Sequence, residues 1–170
     1  LLEHPDVDAF LIATPPGAHA REVEVCLATG RPILVEKPVC AFLEEADALW
    51  RRHGDLPERP LMVAQTLRFH PTLQRAVELA RDLGEVHRVR IQQRLEPTEL
   101  AWQRDDALSG GGSITLTGVH LFDLLRWLVG RSPDAVSARM LAVEGYPTVN
   151  LFDACFEYEA EGLLAATEVS

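Results

Sequence analysis

Short apolar runs alternate with amphipathic segments along the first seventy residues. The runs have the length and apolar character of strands buried on both faces of a parallel sheet. The segments between them have the spacing of apolar positions that is typical of helices. The predicted strands are 8–14, 32–36 and 61–67, and the predicted helices are 19–29 and 43–53. This order predicts right-handed crossovers in a parallel sheet with helices on its faces.

The pattern changes after Phe69, where we expect a domain boundary that divides the chain into 1–69 and 70–170. Alternating apolar and polar positions predict a strand with one wet face, and a long apolar stretch predicts a helix. The predicted elements are a helix 71–83, a strand 86–95, a polar irregular stretch 96–112, a helix 117–129, and two or three strands within 135–170 with a turn at 159–162. The second part is therefore expected to be an α+β layer.

Composition narrows the class of protein. Apolar residues make up 47% of the 170 residues and charged residues 25%, as in ordinary globular chains. The net charge of −10 argues against binding to nucleic acid or to an anionic membrane surface. No apolar run approaches the length of a membrane span. Three widely spaced cysteines and the lack of a signal-peptide pattern favour a reducing, cytoplasmic location.

Glu36-Lys37-Pro38 follows the second predicted strand. Ligands of open α/β sheets bind outside the carboxyl ends of the strands. Of the 16 basic residues, all but Lys37 are arginine, and Pro38 favours an extended backbone before it. Lys37 is therefore a candidate hydrogen-bond donor or general acid and base. The alternative is a surface pair of Lys37 with Glu36.

The first strand ends in Thr14-Pro15-Pro16-Gly17-Ala18-His19, at the same edge of the predicted sheet. A rigid Pro-Pro loop at this place is suited to hold the edge of a flat cofactor. The alternative is an ordinary strand-to-helix turn, with His19 near the start of the helix.

His120 and Asp123 lie on one face of the predicted helix 117–129, after a triple glycine. The helix dipole in the first turn discourages charge on His120, as suits a neutral general base. The alternatives are a core histidine or a metal site, for which no third ligand has suitable spacing. Upstream, Trp102 and Arg104 are candidates for stacking on a ring and for pairing with an anion, or they belong to an exposed loop.

These motifs, taken in order, resemble the Gfo/Idh/MocA family, the enzymes of the glucose-fructose oxidoreductase and inositol dehydrogenase type. The matching motifs are Thr14-Pro15-Pro16-x-x-His19, Glu36-Lys37-Pro38, Arg68-Phe69-His70-Pro71, Trp102-x-Arg104 and Gly110-Gly111-Gly112-x(7)-His120-x-x-Asp123. The resemblance implies an α/β fold: the C-terminal half of a Rossmann domain, followed by an α+β domain with an open mixed sheet. That sheet would mediate a homo-oligomer.

The resemblance also implies an enzyme that transfers hydride between NAD or NADP and a sugar, a cyclitol or a related small molecule. Lys37 and His120 would be catalytic and no metal would be needed. The cofactor would contact Thr14, Pro15, His19, Glu36, Trp102 and Arg104.

Two features depart from the family pattern. The sequence has no G-x-G-x-x-G turn, which holds the pyrophosphate. We therefore expect it to begin about halfway through the nucleotide-binding domain and to bind the cofactor weakly or not at all. Leu116 occupies a position where many members carry Asp or Asn. The alternatives are therefore a non-catalytic relative that binds a sugar or oligomerises, and a reductase of another substrate class.

Overall fold

The computed structural model describes residues 1–54, 61–94, 100–143 and 150–169. It contains two sheets, one in each half of the chain. The first sheet is parallel and has the order β1-β2-β3, with strands β1 (Phe10–Ile12), β2 (Ile33–Val35) and β3 (Leu61–Val63). The three strands are in register, so that their last residues lie side by side. The parallel sheet predicted from the apolar runs is confirmed, although each strand is shorter than predicted.

Two helices connect these strands: α1 (Pro16–Leu27) and α2 (Leu43–Arg52). Helix α1 starts earlier than predicted because proline suits the first turn, where its missing N–H costs nothing. Its residues Val23 and Leu27 are almost completely buried, and they pack with Ile33 and Val35 in one core. This core fixes the strand ends from which the loops of the site begin.

After β3 the chain forms a 3-10 turn (Thr66–Phe69) and then helix α3 (Pro71–Ala80). The prediction that the third strand continues to residue 67 is therefore wrong, because the strand ends at Val63. The helix begins at the predicted proline.

The second sheet is mixed and has the order β4-β7-β6-β5. Its strands are β4 (Arg88–Gln93), β5 (Ala135–Leu141), β6 (Leu151–Tyr158) and β7 (Leu163–Val169). Strands β4 and β7 are parallel, and the other neighbours are antiparallel. The predicted turn at 159–162 joins β6 to β7, with Gly162 at φ +57°. The α/β architecture followed by a mixed sheet is thus as predicted.

Two further helices lie between β4 and β5: the short α4 (Asp106–Ser109) and α5 (Val119–Val129). Leu121 and Leu125 of α5 pack against Phe152 and Phe156 of β6 in the second core. No helix among the described residues is long and apolar enough to cross a bilayer.

A π-helical segment (Ile114–Gly118) leads directly into α5. The backbone is helical from Ser113 onward, so His120 lies well inside a continuous helical stretch. The predicted start of this helix at residue 117 is therefore wrong. The dipole argument for His120 fails with it, because the free N–H groups of a helix lie in its first turn.

Candidate active site

The loops after β1, β2 and β3 meet at one edge of the first sheet. Backbone hydrogen bonds continue across this edge, from Glu36 N to Ile12 O at 2.9 Å and from Ala64 N to Val35 O at 2.8 Å. Residues that follow the strands by the same number of positions therefore lie side by side. The residues that lie two positions after the ends of β1, β2 and β3 are Thr14, Lys37 and Gln65.

The His19 side chain contacts the first two of these loops. Its ring is fully buried, with Nδ1 2.7 Å from the carbonyl oxygen of Pro38 and Nε2 2.7 Å from that of Thr14. The Thr14 hydroxyl donates a hydrogen bond to Glu22 on α1 at 2.7 Å. The loop that carries Thr14 and Pro15 and the loop that carries Lys37 are thus held in a fixed relation.

The Lys37 side chain crosses from the first half of the chain to the second. Its Nζ donates a hydrogen bond to the main-chain carbonyl oxygen of Leu116 at 2.5 Å. Burial lowers the pKa of Lys37, and the nearby Glu36 carboxylate opposes that change. Glu36 also accepts a hydrogen bond from the Lys37 backbone N–H at 3.3 Å. The structure therefore places Lys37 between two halves of a site and not on an open surface.

The charges of Lys37 and Glu36 also act on His120. Its pKa is lowered, first by burial and then by the positive charge of Lys37, while Asp123 and Glu36 act in the opposite direction. Its buried Nδ1 atom has no hydrogen-bond partner. A neutral imidazole close to a lysine is of the kind that can exchange a proton with a bound molecule.

Asp123 is engaged by another residue. Both of its carboxylate oxygens accept hydrogen bonds from Arg68, at 2.7 and 2.8 Å. Within the described parts of the chain, no three His, Cys, Asp or Glu side chains are arranged to hold a metal ion.

Two glycines let the second half approach the loops of the first half. A Cβ on Gly17 would lie 2.1 Å from the Ala107 carbonyl oxygen, and one on Gly110 would lie 2.5 Å from the Ala41 Cβ. Gly17 is the second residue of α1, and Ala41 follows the Lys37 loop. The segment of α4 is therefore in direct contact with both loops.

Trp102 and Arg104 lie on the 3-10 turn (Ala101–Arg104) directly before α4. Trp102 is half-buried and Arg104 is exposed. The contacts of α4 bring this turn to the side of the site where α1 begins. The structure thus brings Lys37 close to His120 and to the Leu116 carbonyl, and it places the turn that carries Trp102 and Arg104 next to α4.

The sequence analysis missed two groups. The Oε1 atom of Gln65 is buried without a hydrogen-bond partner, and Gln65 follows β3 by two residues as Thr14 follows β1 and Lys37 follows β2. The predicted third strand ran to residue 67 and therefore contained Gln65, so its position after the strand became visible only when the structure ended β3 at Val63. The main-chain carbonyl of Leu116 carries no signal in the sequence, since every residue has one.

Comparison with known proteins now identifies the family. Residues 1–64 match the model of the oxidoreductase family with an NAD-binding Rossmann fold, and residues 72–170 match the GFO/IDH/MocA C-terminal domain. The chain belongs to the Gfo/Idh/MocA oxidoreductase family.

Three relatives illustrate the match. The chain is 36% identical to the rhizopine catabolism protein MocA of Rhizobium meliloti over 138 residues, which are 78% of this chain and 41% of that protein. It is 33% identical to an inositol 2-dehydrogenase of Rhizobium meliloti strain 1021 over 136 residues, 78% of this chain and 40% of that enzyme. The crystal structure of GenD2 from gentamicin A biosynthesis, in complex with NAD, superimposes with a TM-score of 0.90 at 29% identity, covering 99% of this chain and 49% of that one.

The chain therefore spans about two fifths of the length of these curated relatives and about half of that solved structure.

Proposed function

We propose that the protein containing this chain is an oxidoreductase that transfers hydride between NAD or NADP and a sugar, a cyclitol or a related hydroxyl or carbonyl compound. The observation that supports this most is the meeting of Lys37 and His120 at the carboxyl edge of the first sheet. Both groups have a lowered pKa there, and the charge of one acts on the other. The similarity to an inositol 2-dehydrogenase and to a structure solved with NAD supports the substrate class and the cofactor.

The residues at the edge fit a dinucleotide and a polyol. Two buried polar atoms, Nδ1 of His120 and Oε1 of Gln65, have no hydrogen-bond partner within the described residues, and a shift of either side chain toward the edge would let it bond a hydroxyl of a bound molecule. The ammonium of Lys37 is a hydrogen-bond donor for the reacting oxygen. The imidazole, the amide and the ammonium are hydrogen-bonding groups of the kind that bind the hydroxyls of a polyol.

The bound cofactor would supply or accept the hydride, and this chain would handle the proton. In the proposed mechanism Lys37 contacts the reacting oxygen and takes or returns its proton, and His120 shares that exchange. Thr14, Pro15 and Glu36 line the nicotinamide side, while His19 supports this wall through the loops that it joins. Trp102 and Arg104 approach the cofactor from the 3-10 turn.

The proposal includes the division of the chain into two domains and its association with a second copy. Residues 1–69 form the nucleotide-binding part, and residues 70–170 form the substrate and oligomerisation domain. The outer face of the second sheet carries the small residues Ser137, Cys155 and Ala166 side by side, which suits close contact with a second copy. Three free cysteines are consistent with a cytoplasmic protein.

The test is hydride transfer by the full-length protein with NAD and with NADP, on a panel of sugars, cyclitols and diene-diols. Lys37→Met is expected to lower turnover by about 10² to 10⁴ fold, the range of general acid–base catalysis. Arg75→Gln, which removes a surface charge on α3, is the control and should leave turnover unchanged. Unchanged turnover in Lys37→Met would remove Lys37 from the mechanism.

A second candidate function is a non-catalytic sugar-binding or oligomerising relative. Leu116 supports it, because a leucine side chain can neither orient a base nor accept a proton. A full-length protein that binds NADH but turns over no member of the panel would favour this candidate over the oxidoreductase.

A further inference from the structure

The hydrogen bond from Lys37 to position 116 does not involve a side chain there. The Lys37 Nζ atom meets the main-chain carbonyl oxygen of Leu116, 79 residues further along the chain. A carbonyl oxygen has two lone pairs, so it can accept a second hydrogen bond beside any bond within the helix. The acceptor for Lys37 is thus part of the backbone.

The backbone at this point has an unusual form. Leu116 lies in the π-helical segment (Ile114–Gly118), in which the N–H of Val119 reaches back five residues to the carbonyl of Ile114. Such segments are rare and occur often at functional sites. The wider turn changes the direction of its carbonyl groups relative to an α-helix.

Contacts at both ends hold this segment in place. At its start, the Thr115 hydroxyl donates to the carbonyl oxygens of Ser109 and Gly112, at 3.0 and 3.1 Å. At its end, Gly118 lies so close to the sheet that a Cβ there would be 2.7 Å from the Phe152 ring. The Leu116 carbonyl is therefore presented by a fixed scaffold.

We infer that the Leu116 main-chain carbonyl, presented by the π-helical segment, is the group that positions the Lys37 amine in the active site, in place of a side-chain carboxylate or amide. This inference rests on the proposed function for its catalytic meaning. The contact itself is independent of that function.

The nature of the partner has a chemical consequence. A carboxylate within about 4–6 Å of a lysine favours the charged form and raises its pKa by about 1 to 3 units, whereas a carbonyl has no net charge. The charged or titratable groups that act on Lys37 and its neighbour His120 are Glu36 and Asp123, and Asp123 is paired with Arg68. The carbonyl holds the amine in place without adding a further negative charge, so Lys37 can release its proton at lower pH than it could beside a carboxylate.

The experiment follows the pH dependence of Lys37 acetylation by acetic anhydride in the full-length protein, without cofactor or substrate. Peptide mass spectrometry isolates Lys37 from any other amine. Leu116→Ala keeps the carbonyl and should leave the midpoint where it is in the parent.

The carbonyl is tested directly by an ester in place of the amide between Leu116 and Thr117. An ester carbonyl is a weaker acceptor, so the midpoint of Lys37 should fall. The matched control is an ester between Thr115 and Leu116, which weakens the preceding carbonyl and should have less effect.

Equal effects of the two esters would overturn the inference, as would a shift in Leu116→Ala as large as that of the first ester. If the labelling results hold and the full-length protein transfers no hydride, only the proposed function fails.

Discussion

Arg68 holds both carboxylate oxygens of Asp123, with Nε 2.7 Å from Oδ2 and Nη2 2.8 Å from Oδ1. Its guanidinium also lies over the Trp127 ring, 5.7 Å from the centroid. Arg68 follows β3 at the edge of the first sheet, and Asp123 lies one turn beyond His120 on α5. The pair therefore joins the two halves of the chain and compensates the negative charge closest to His120 along the helix.

Removing Arg68 should change the titration of His120. In Arg68→Gln the Asp123 carboxylate is no longer compensated, and because Asp123 favours the imidazolium, the pKa of His120 should rise. The measurement is the NMR titration of the His120 ring protons, assigned with His120→Gln. Loss of the bidentate pair should also lower the free energy of unfolding by about 1 kcal/mol. Arg75→Gln, which breaks a surface pair on α3, should move neither quantity by a similar amount, and an unmoved His120 in Arg68→Gln would contradict the prediction.

The sequence alone predicted most of the architecture, because local signals determine it. Apolar runs located the three parallel strands, Pro71 began its helix, and the turn at 159–162 formed as expected. Where the prediction was wrong, packing between distant segments decided the outcome. The helix predicted from residue 117 begins earlier as a π-helical segment, since Gly118 lets it lie directly against Phe152.

The candidate site could be predicted only in part, for a related reason. The rule for strand ends located Thr14 and Lys37, but it missed Gln65 because the third strand was predicted to run to residue 67 and ends at Val63. The partners of these residues were not predictable. The bond of Lys37 to the Leu116 carbonyl spans 79 residues and uses a backbone atom. The ion pair of Asp123 with Arg68 spans 55, and nothing in either local sequence indicates it.

His19 should be needed for stability as well as for the shape of the site. His19→Leu removes the ring N–H that one of the carbonyl oxygens of Thr14 and Pro38 accepts, and the contact of the ring with the other, which should cost about 1 to 3 kcal/mol. His19→Gln restores a donor and should recover part of the loss. Urea denaturation measures both, with the exposed His87→Leu as control. A loss in His19→Leu no larger than that in His87→Leu would show that the two loops do not depend on this ring.

Glu36 should control the protonation of both candidate catalytic groups. Its carboxylate acts to raise the pKa of Lys37 and of His120, so Glu36→Gln should lower both. Acetylation of Lys37 and NMR titration of His120 report the two changes separately. The control is Glu44→Gln, at an exposed position on α2, which should leave both midpoints in place. A rise of either midpoint in Glu36→Gln would contradict the electrostatic account of the site.

The charge cluster at the end of the second sheet should give stability a defined dependence on pH. Arg131 donates to Glu161 at 2.5 and 2.9 Å and to Asp134 at 2.9 and 3.0 Å, and it lies over the Tyr158 ring. Hydrogen bonds from Arg131 hold the pKa of both carboxylates below their ordinary values of 4.5 and 3.8. A carboxylate whose pKa is lowered by folding stabilises the folded state above its unfolded pKa, and this contribution is lost as the pH falls through the lower folded pKa.

Arg131→Gln should therefore reduce the free energy of unfolding above about pH 4.5, and the difference from the parent should shrink steadily as the pH is lowered further. Urea denaturation between pH 7 and about pH 2.5 measures this difference across the range in which carboxylates titrate. Arg75→Gln serves as the matched control, because its pair with Glu78 is a single exposed contact on α3. If the difference between Arg131→Gln and the parent stays constant over the acid range, the cluster acts through packing against Tyr158 and not through the charges of Asp134 and Glu161.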